Sequence, residues 1–122
     1  MRLLLDTHAF VWWDNDALPR AVRDRIQSAD AVYVSAVSAW EVAIKTALGK
    51  ITARAAFADA IDDYGFDPLP ITVAHADAVR ALPPHHRDPF DRLLVVQAQI
   101  EDLTLVSRDP VMRLYRVPVV WA

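Results

Sequence analysis

Apolar and polar positions along the chain follow two alternating rhythms: short, nearly uninterrupted apolar runs, and longer stretches with apolar residues three to four apart. The short runs predict strands at Arg2–Asp6, Ala31–Ser35, Leu69–Ile71 (weakly), Leu103–Val106 and Val117–Trp121. The longer ones predict helices over residues 8–14, from Pro19 to about Ser28, over 36–48 and 54–64, from Thr72 to Leu82, and from Asp88-Pro89 to about Asp102, with a short one at Pro110–Tyr115. Pro19 suits a first helical position, and Gly49 and Gly65 close the helices before them. Paired prolines at 83 and 84 force a loop through Arg87. Strands alternating with helices imply an α/β fold: one domain over residues 1–122, with a mostly parallel central sheet of four to five strands and helices on both faces. In such sheets ligands gather outside the carboxyl ends of the strands.

Composition narrows the chemistry available at that edge. At 122 residues and 54% hydrophobic content the chain can bury a real core without staples. It has no cysteine, which rules out disulfides, thiolate zinc sites and cysteine nucleophiles and suits a cytoplasmic protein. The apolar start, Leu3-Leu4-Leu5, is broken at once by Asp6 and His8, so a signal peptide is not expected. No apolar run approaches the roughly 18 residues that span a bilayer, so no membrane association is expected either. The net charge of −3 argues mildly against a nucleic-acid binder. The identity of the charged residues matters more: fourteen of sixteen acids are Asp, and eleven of thirteen basic residues are Arg, the better bidentate partner for phosphate. Genome base composition accounts for the Arg excess equally well.

Asp6 ends the first predicted strand, and Asp109 lies just past the Leu103–Val106 strand. In a parallel sheet both reach the carboxyl edge, where like charges repel unless a cation neutralises them. Oxygen donors without cysteine favour Mg²⁺ or Mn²⁺ over zinc. Metal-free, such acids are expected to have their pKa values raised as a group. Each acid also has a local structural reading. Asp109-Pro110 and Asp88-Pro89 are N-cap sequences, and Asp91 can complete a capping-box-like pair with Asp88. Glu41 can pair with Ser38 in a capping box or with Lys45 four residues on. His85 and His86 read as exposed loop residues, whereas His8, beside Asp6, falls nearer the site or at a helix start. Trp12, Trp13 and Trp40 read as core or interface rather than base-stacking platforms.

Four segments, in order and spanning nearly the whole chain, carry a family resemblance. Leu3-Leu4-Leu5-Asp6-Thr7-His8, Ser35 to Lys45 with Trp40-Glu41 inside it, Arg87-Asp88-Pro89-Phe90-Asp91-Arg92-Leu93-Leu94, and Leu105-Val106-Ser107-Arg108-Asp109 together resemble the four motifs of PIN domains. Carried over residue by residue, the resemblance implies an acidic metal centre of Asp6, Glu41, Asp91 and Asp109, with Asp88 a fifth acid beside it and Ser107 a hydroxyl near the metal. It implies one or two Mg²⁺ or Mn²⁺ ions and cleavage of single-stranded RNA. The small form resembles VapBC-type toxins, which implies a cognate antitoxin partner. A homodimer is expected as well, because Trp12, Trp13 and the Ala-rich helices offer more apolar surface than one small sheet needs. Thr7 and His8 are candidates for supporting or substrate contacts. Arg92, Arg108 and Arg87 are candidates for holding phosphate, with surface ion pairing an equal account of each. Two alternatives differ in class: an inactive PIN-like interaction module, separable by an RNA-cleavage assay with and without EDTA, and a phospho-accepting receiver domain, separable by a small phosphodonor. The receiver scheme needs an acidic pair where Asp6 stands alone.

Overall fold

Strand β1 (Arg2–Leu5) is the centre of the molecule: Leu3, Leu4 and Leu5 are all fully buried, as a strand covered on both faces must be. The computed structural model describes residues 1–51 and 56–122. After β1 the chain forms α1 (Thr7–Asp14), α2 (Arg20–Ser28), β2 (Ala31–Ser35), α3 (Ala36–Ala47), α4 (Phe57–Asp63), β3 (Asp67–Leu69), α5 (Val73–Ala78), α6 (Pro89–Glu101), β4 (Thr104–Ser107) and β5 (Val119–Trp121), with 3₁₀ turns at Val79–Ala81 and Pro110–Leu114. The five strands are all parallel, in the order β3-β2-β1-β4-β5.

Helices cover both faces. Leu3 and Leu5 pack with Phe10 of α1, Val22 and Ile26 of α2 and Ile61 of α4. Leu4, on the opposite pleat, packs with Val37 of α3 and with Leu94, Val95 and Ala98 of α6. The result is the α/β architecture the hydrophobic pattern predicts, with five strands among the described residues.

The differences are local. The third strand is Asp67–Leu69, two residues earlier than Leu69–Ile71, because β3 takes its register from β2, pairing Tyr33 with Asp67 and Ser35 with Leu69. It sits at the sheet edge, where Pro68 is tolerated. The helix from Thr72 has its predicted cap but tightens to 3₁₀ geometry at Val79. Pro19 caps α2 rather than opening it. The start of the helix expected over 54–64 lies outside the described residues. Gly49 and Gly65 follow the ends of α3 and α4 with φ of 73° and 72°, the left-handed conformation that closes a helix without a Cβ penalty.

The strand order changes direction at β1. The chain builds outward through β2 and β3, then returns to the other side of β1 for β4 and β5. The crevice between the carboxyl ends of β1 and β4 is therefore the switch point where such sheets bind ligands.

Candidate metal centre

Asp6 is the first residue past β1, and its backbone N–H still donates to Val106 on the neighbouring strand. Its Oδ1 accepts from the Ala9 N–H at 2.8 Å, capping α1. Burial raises the Asp6 pKa, against hydrogen bonds from Ser107 and Ala9 that lower it. Thr7 is buried and donates from Oγ1 to Ser38 Oγ at 2.9 Å, tying α1 to α3. His8 is exposed, with its ring 5.8 Å from that of Trp12.

Glu41 arrives on α3. Ser38 does not cap this helix, contrary to the capping-box expectation. Ser35 does, accepting from the Val37 N–H at 3.0 Å, because β2 runs directly into α3 and the cap falls at the strand's last residue. The expected Lys45 pair is present, on Glu41 Oε2 at 2.5 Å. The other oxygen, Oε1, is buried without a hydrogen-bond partner, in a residue only 2% exposed. A buried carboxylate oxygen left in that state is destabilising unless something outside the chain satisfies it.

Asp91 lies in the first turn of α6, where Asp88 is the cap, accepting from the Phe90 and Asp91 N–H groups at 2.8 and 3.1 Å. The reciprocal half of the expected box is missing, because the Asp88 N–H donates instead to His86 Nδ1 at 3.1 Å. Burial, then the charges of Asp88, Asp6 and Glu41, push the Asp91 pKa up to about 7, against the opposing pull of His86. A carboxyl this crowded is a site where a cation can replace a proton.

Asp109 follows β4. Its N–H donates to Ser107 Oγ at 3.1 Å, its Oδ1 accepts from the Val111 N–H at 3.0 Å, and its Oδ2 meets His86 Nε2 at 2.6 Å. The capping reading of Asp109 therefore holds for one oxygen. Its pKa breaks the expected group trend: desolvation raises it, but the Val111 N–H and the hydrogen bond from His86 outweigh that and lower it.

His86 is the main correction to the exposed-loop reading. It is half-buried, and its Nε2 also lies 3.2 Å from Asp91 Oδ2. Ligand atoms of His86, Asp91 and Asp109 fall within 4.8 Å of one another, the one group among the described residues so arranged. Asp6 and Glu41 stand close enough for their charges to reach Asp91. His85 is exposed as expected, its ring 5.2 Å from Tyr115.

The arginines divide. Arg92 does not present its guanidinium to the crevice. It donates to the carbonyls of Val79, Leu82, Pro83 and His86 at 3.1–3.3 Å, bracing the loop. Arg108 lies over the Trp12 ring, 3.8 Å from its centroid, and donates to the Ala122 carbonyl. Arg87 is exposed. Trp12 and Trp13 pack against the first core, as read from sequence. Trp40 is 57% exposed, with Phe90 at its edge.

The family model described as PIN domain matches residues 3–118. The chain belongs to the PIN domain family. Solved structures agree on the fold of this PIN domain. A VapBC2 complex from Rickettsia felis, bound to a DNA fragment from its promoter, matches with a TM-score of 0.73 at 12% identity, covering 98% of each chain. A toxin–antitoxin complex from Klebsiella pneumoniae matches at 0.66 and 17% identity, covering 97% of this chain and 95% of that one. FitAcB from Neisseria gonorrhoeae matches at 0.62 and 19%, covering 96% and 95%. No curated protein sequence matches the chain.

The residues of this PIN domain fit a hard divalent cation. The donors are carboxylates, with the His86 imidazole set against two of them, Glu41 Oε1 is a buried oxygen without a partner, and Asp91 is crowded enough to hold a proton in a cation's place. Sequence reasoning missed His86 because the signal lay in the fold: His86 sits two residues before a helix cap, and only the bracing of its loop turns the ring inward. The dual role of Asp109 gives a stability test. Asp109→Ala should lower metal-free stability by about 0.5–2 kcal/mol through the lost cap, and should also lose most of the Mg²⁺-induced rise in melting temperature. Melting in EDTA and in Mg²⁺ reads both; a full Mg²⁺ shift in the mutant would leave Asp109 only a cap.

Proposed function

We propose that this PIN domain is a Mg²⁺- or Mn²⁺-dependent endoribonuclease acting on single-stranded RNA, the toxin of a toxin–antitoxin pair. The observation that carries the reading is the cluster at the switch point of the sheet, where ligand atoms of Asp91, Asp109 and His86 lie within 4.8 Å of one another and the charges of Asp6 and Glu41 reach Asp91. Asp6, Glu41, Asp91 and Asp109 are the residues that would hold the cation. When bound, it supplies an activated water and neutralises charge on the scissile phosphate.

The chain's own groups prepare that chemistry. Ser107 bridges Asp6 and Asp109, donating to the first and accepting from the N–H of the second, so the ends of β1 and β4 keep a fixed separation. The Thr7–Ser38 hydrogen bond fixes α1 against α3, and with it Asp6 against Glu41. His8 and Arg108, both exposed beside Trp12 and close in sequence to Asp6 and Asp109, are the candidates for substrate contact.

The toxin role draws support from the fold shared with solved toxin–antitoxin complexes. An apolar groove of about 540 Å³ between α3, α4 and β3, lined by Val34, Ala39, Ile61, Phe66 and Leu69 among others, suits an apolar antitoxin segment, while basic antitoxin side chains reach the acids. The dimer expected from Trp12 and Trp13 has better support elsewhere. Those rings pack on the first core and Arg108, whereas Trp40 and Ile44 of α3 and its C-cap Leu48 follow an i, i+4, i+8 spacing, with Trp40 and Leu48 exposed. No described helix is long and apolar enough to cross a membrane, and we place the activity in the cytoplasm.

The test is direct. Protein freed of antitoxin should cleave single-stranded RNA in Mg²⁺ or Mn²⁺, stop with EDTA and resume when the ion is restored. Single-stranded DNA and duplex RNA run alongside test the substrate class. Undiminished cleavage in chelator, from protein free of contaminating nuclease, removes the metal mechanism.

A further inference from the structure

Every polar atom of His86 is engaged. Its backbone N–H donates to the Tyr115 hydroxyl at 2.7 Å, and that hydroxyl donates in turn to the Pro83 carbonyl at 3.0 Å. Its carbonyl accepts from Arg92, which also holds the carbonyls of Val79, Leu82 and Pro83. Its Nδ1 accepts from the Asp88 N–H. A nitrogen that accepts from a backbone N–H presents its lone pair, so the ring hydrogen sits on Nε2. That N–H points at Asp109 Oδ2, 2.6 Å away, with Asp91 Oδ2 at 3.2 Å. The neighbouring His85 lies exposed, its backbone N–H on the Pro83 carbonyl and its ring against Tyr115.

We propose that His86 is a positioning residue for the metal centre: its Nε2–H, fixed as a donor by the Asp88 N–H, holds the Asp91 and Asp109 carboxylates in register for a cation without ligating it. The inference rests on the metal reading above. Direct ligation through Nε2 requires that nitrogen to give up its hydrogen, which moves a proton to Nδ1 and sets it against the Asp88 N–H. Donation to a ligating carboxylate involves no such conflict, and hydrogen bonds of that kind orient metal ligands. The proline pair, Arg92 and Tyr115 are the frame that holds the ring in place. They account for an Arg beside the acids that faces carbonyls instead of the crevice.

The test is Mn²⁺ binding by calorimetry with wild type, His86→Ala and His86→Gln, paired with pulsed electron paramagnetic resonance of the Mn²⁺-loaded proteins. Gln keeps an N–H donor near the Nε2 position. Wild type should bind Mn²⁺ with no strong nitrogen coupling to the ion. Ala should bind about 10–100-fold more weakly, the range for losing a partner of a metal ligand. Gln should recover most of that loss. Far-ultraviolet circular dichroism in EDTA confirms that each variant is folded before its affinity is compared. A nitrogen coupling in wild type that disappears in both variants overturns the proposal in favour of direct ligation. Equal affinities for wild type and Ala, or equal losses in Ala and Gln, overturn it as well. If wild type itself binds no Mn²⁺, the metal reading fails, and that result is distinct from any failure of His86.

Discussion

Asp91→Asn should reduce Mg²⁺-dependent RNA cleavage by at least about a hundredfold, the scale on which losing one preorganised electrostatic group lowers turnover, and should leave the protein folded. The substitution keeps the shape of the side chain and removes the charge that would hold a cation. Asp6→Asn should behave alike, since Asp6 and Asp91 share a crevice and one electrostatic field. In cells, expression of wild type without antitoxin should arrest growth, and either Asn variant, accumulating as soluble protein, should not. Growth counts and turnover rates for the three proteins decide the matter. An Asn variant that arrests growth as strongly as wild type would show that catalysis is not the cause of arrest.

The second large effect is on stability against pH. The folded-state pKa of Asp91 is raised to about 7, so between the ordinary carboxylate range and pH 7 the folded chain holds a proton that the unfolded chain has lost. Stability therefore falls as pH rises through that window and levels off above it. Asp6, also raised, acts in the same direction. Asp109, lowered, contributes oppositely, and only below the ordinary carboxylate range, outside this window. The Asp91 effect is on the order of a few kcal/mol, because each pH unit between the two pKa values is worth about 1.4 kcal/mol. In EDTA, wild type should lose melting temperature relative to Asp91→Asn from about pH 4.5 to 7, and the variant should be the more stable at pH 7.5. Added Mg²⁺ should restore wild type by about 2.7 kcal/mol at a hundredfold excess over its dissociation constant. It should do so most fully at high pH, where no proton competes for the carboxylate. Parallel melting curves for the two proteins across this range would show that Asp91 is not crowded.

The central strands were legible because burial on both faces leaves an unbroken apolar run: Leu3-Leu4-Leu5 has no other reading that ends in Asp6 and a helix. The edge strand was not, since Pro68 and Pro70 flank its one buried residue, Leu69, and pairing with β2 alone sets its register. The acids were legible by position and their caps by residue type, and the two descriptions prove compatible. Asp109 caps with one oxygen and faces the cluster with the other; Glu41 gives one oxygen to Lys45 and leaves one open. The local reading failed for His86, whose inward turn depends on Tyr115, 29 residues away. No pattern within a helix or strand encodes a loop folded by distant partners.

The switch in strand order has a consequence for synthesis. β1 pairs directly with β4, Leu3 against Thr104, across most of the chain's length, and the crevice exists only once that pairing is made. A nascent polypeptide that has left the ribosome through α3 already carries Asp6 and Glu41, yet has neither Asp91 nor Asp109 to set beside them. Such long-range closure comes late, because its entropy must be met before its contacts form. On the proposed function, the complete set of acids, and with it any activity, is absent until the return strand is in place.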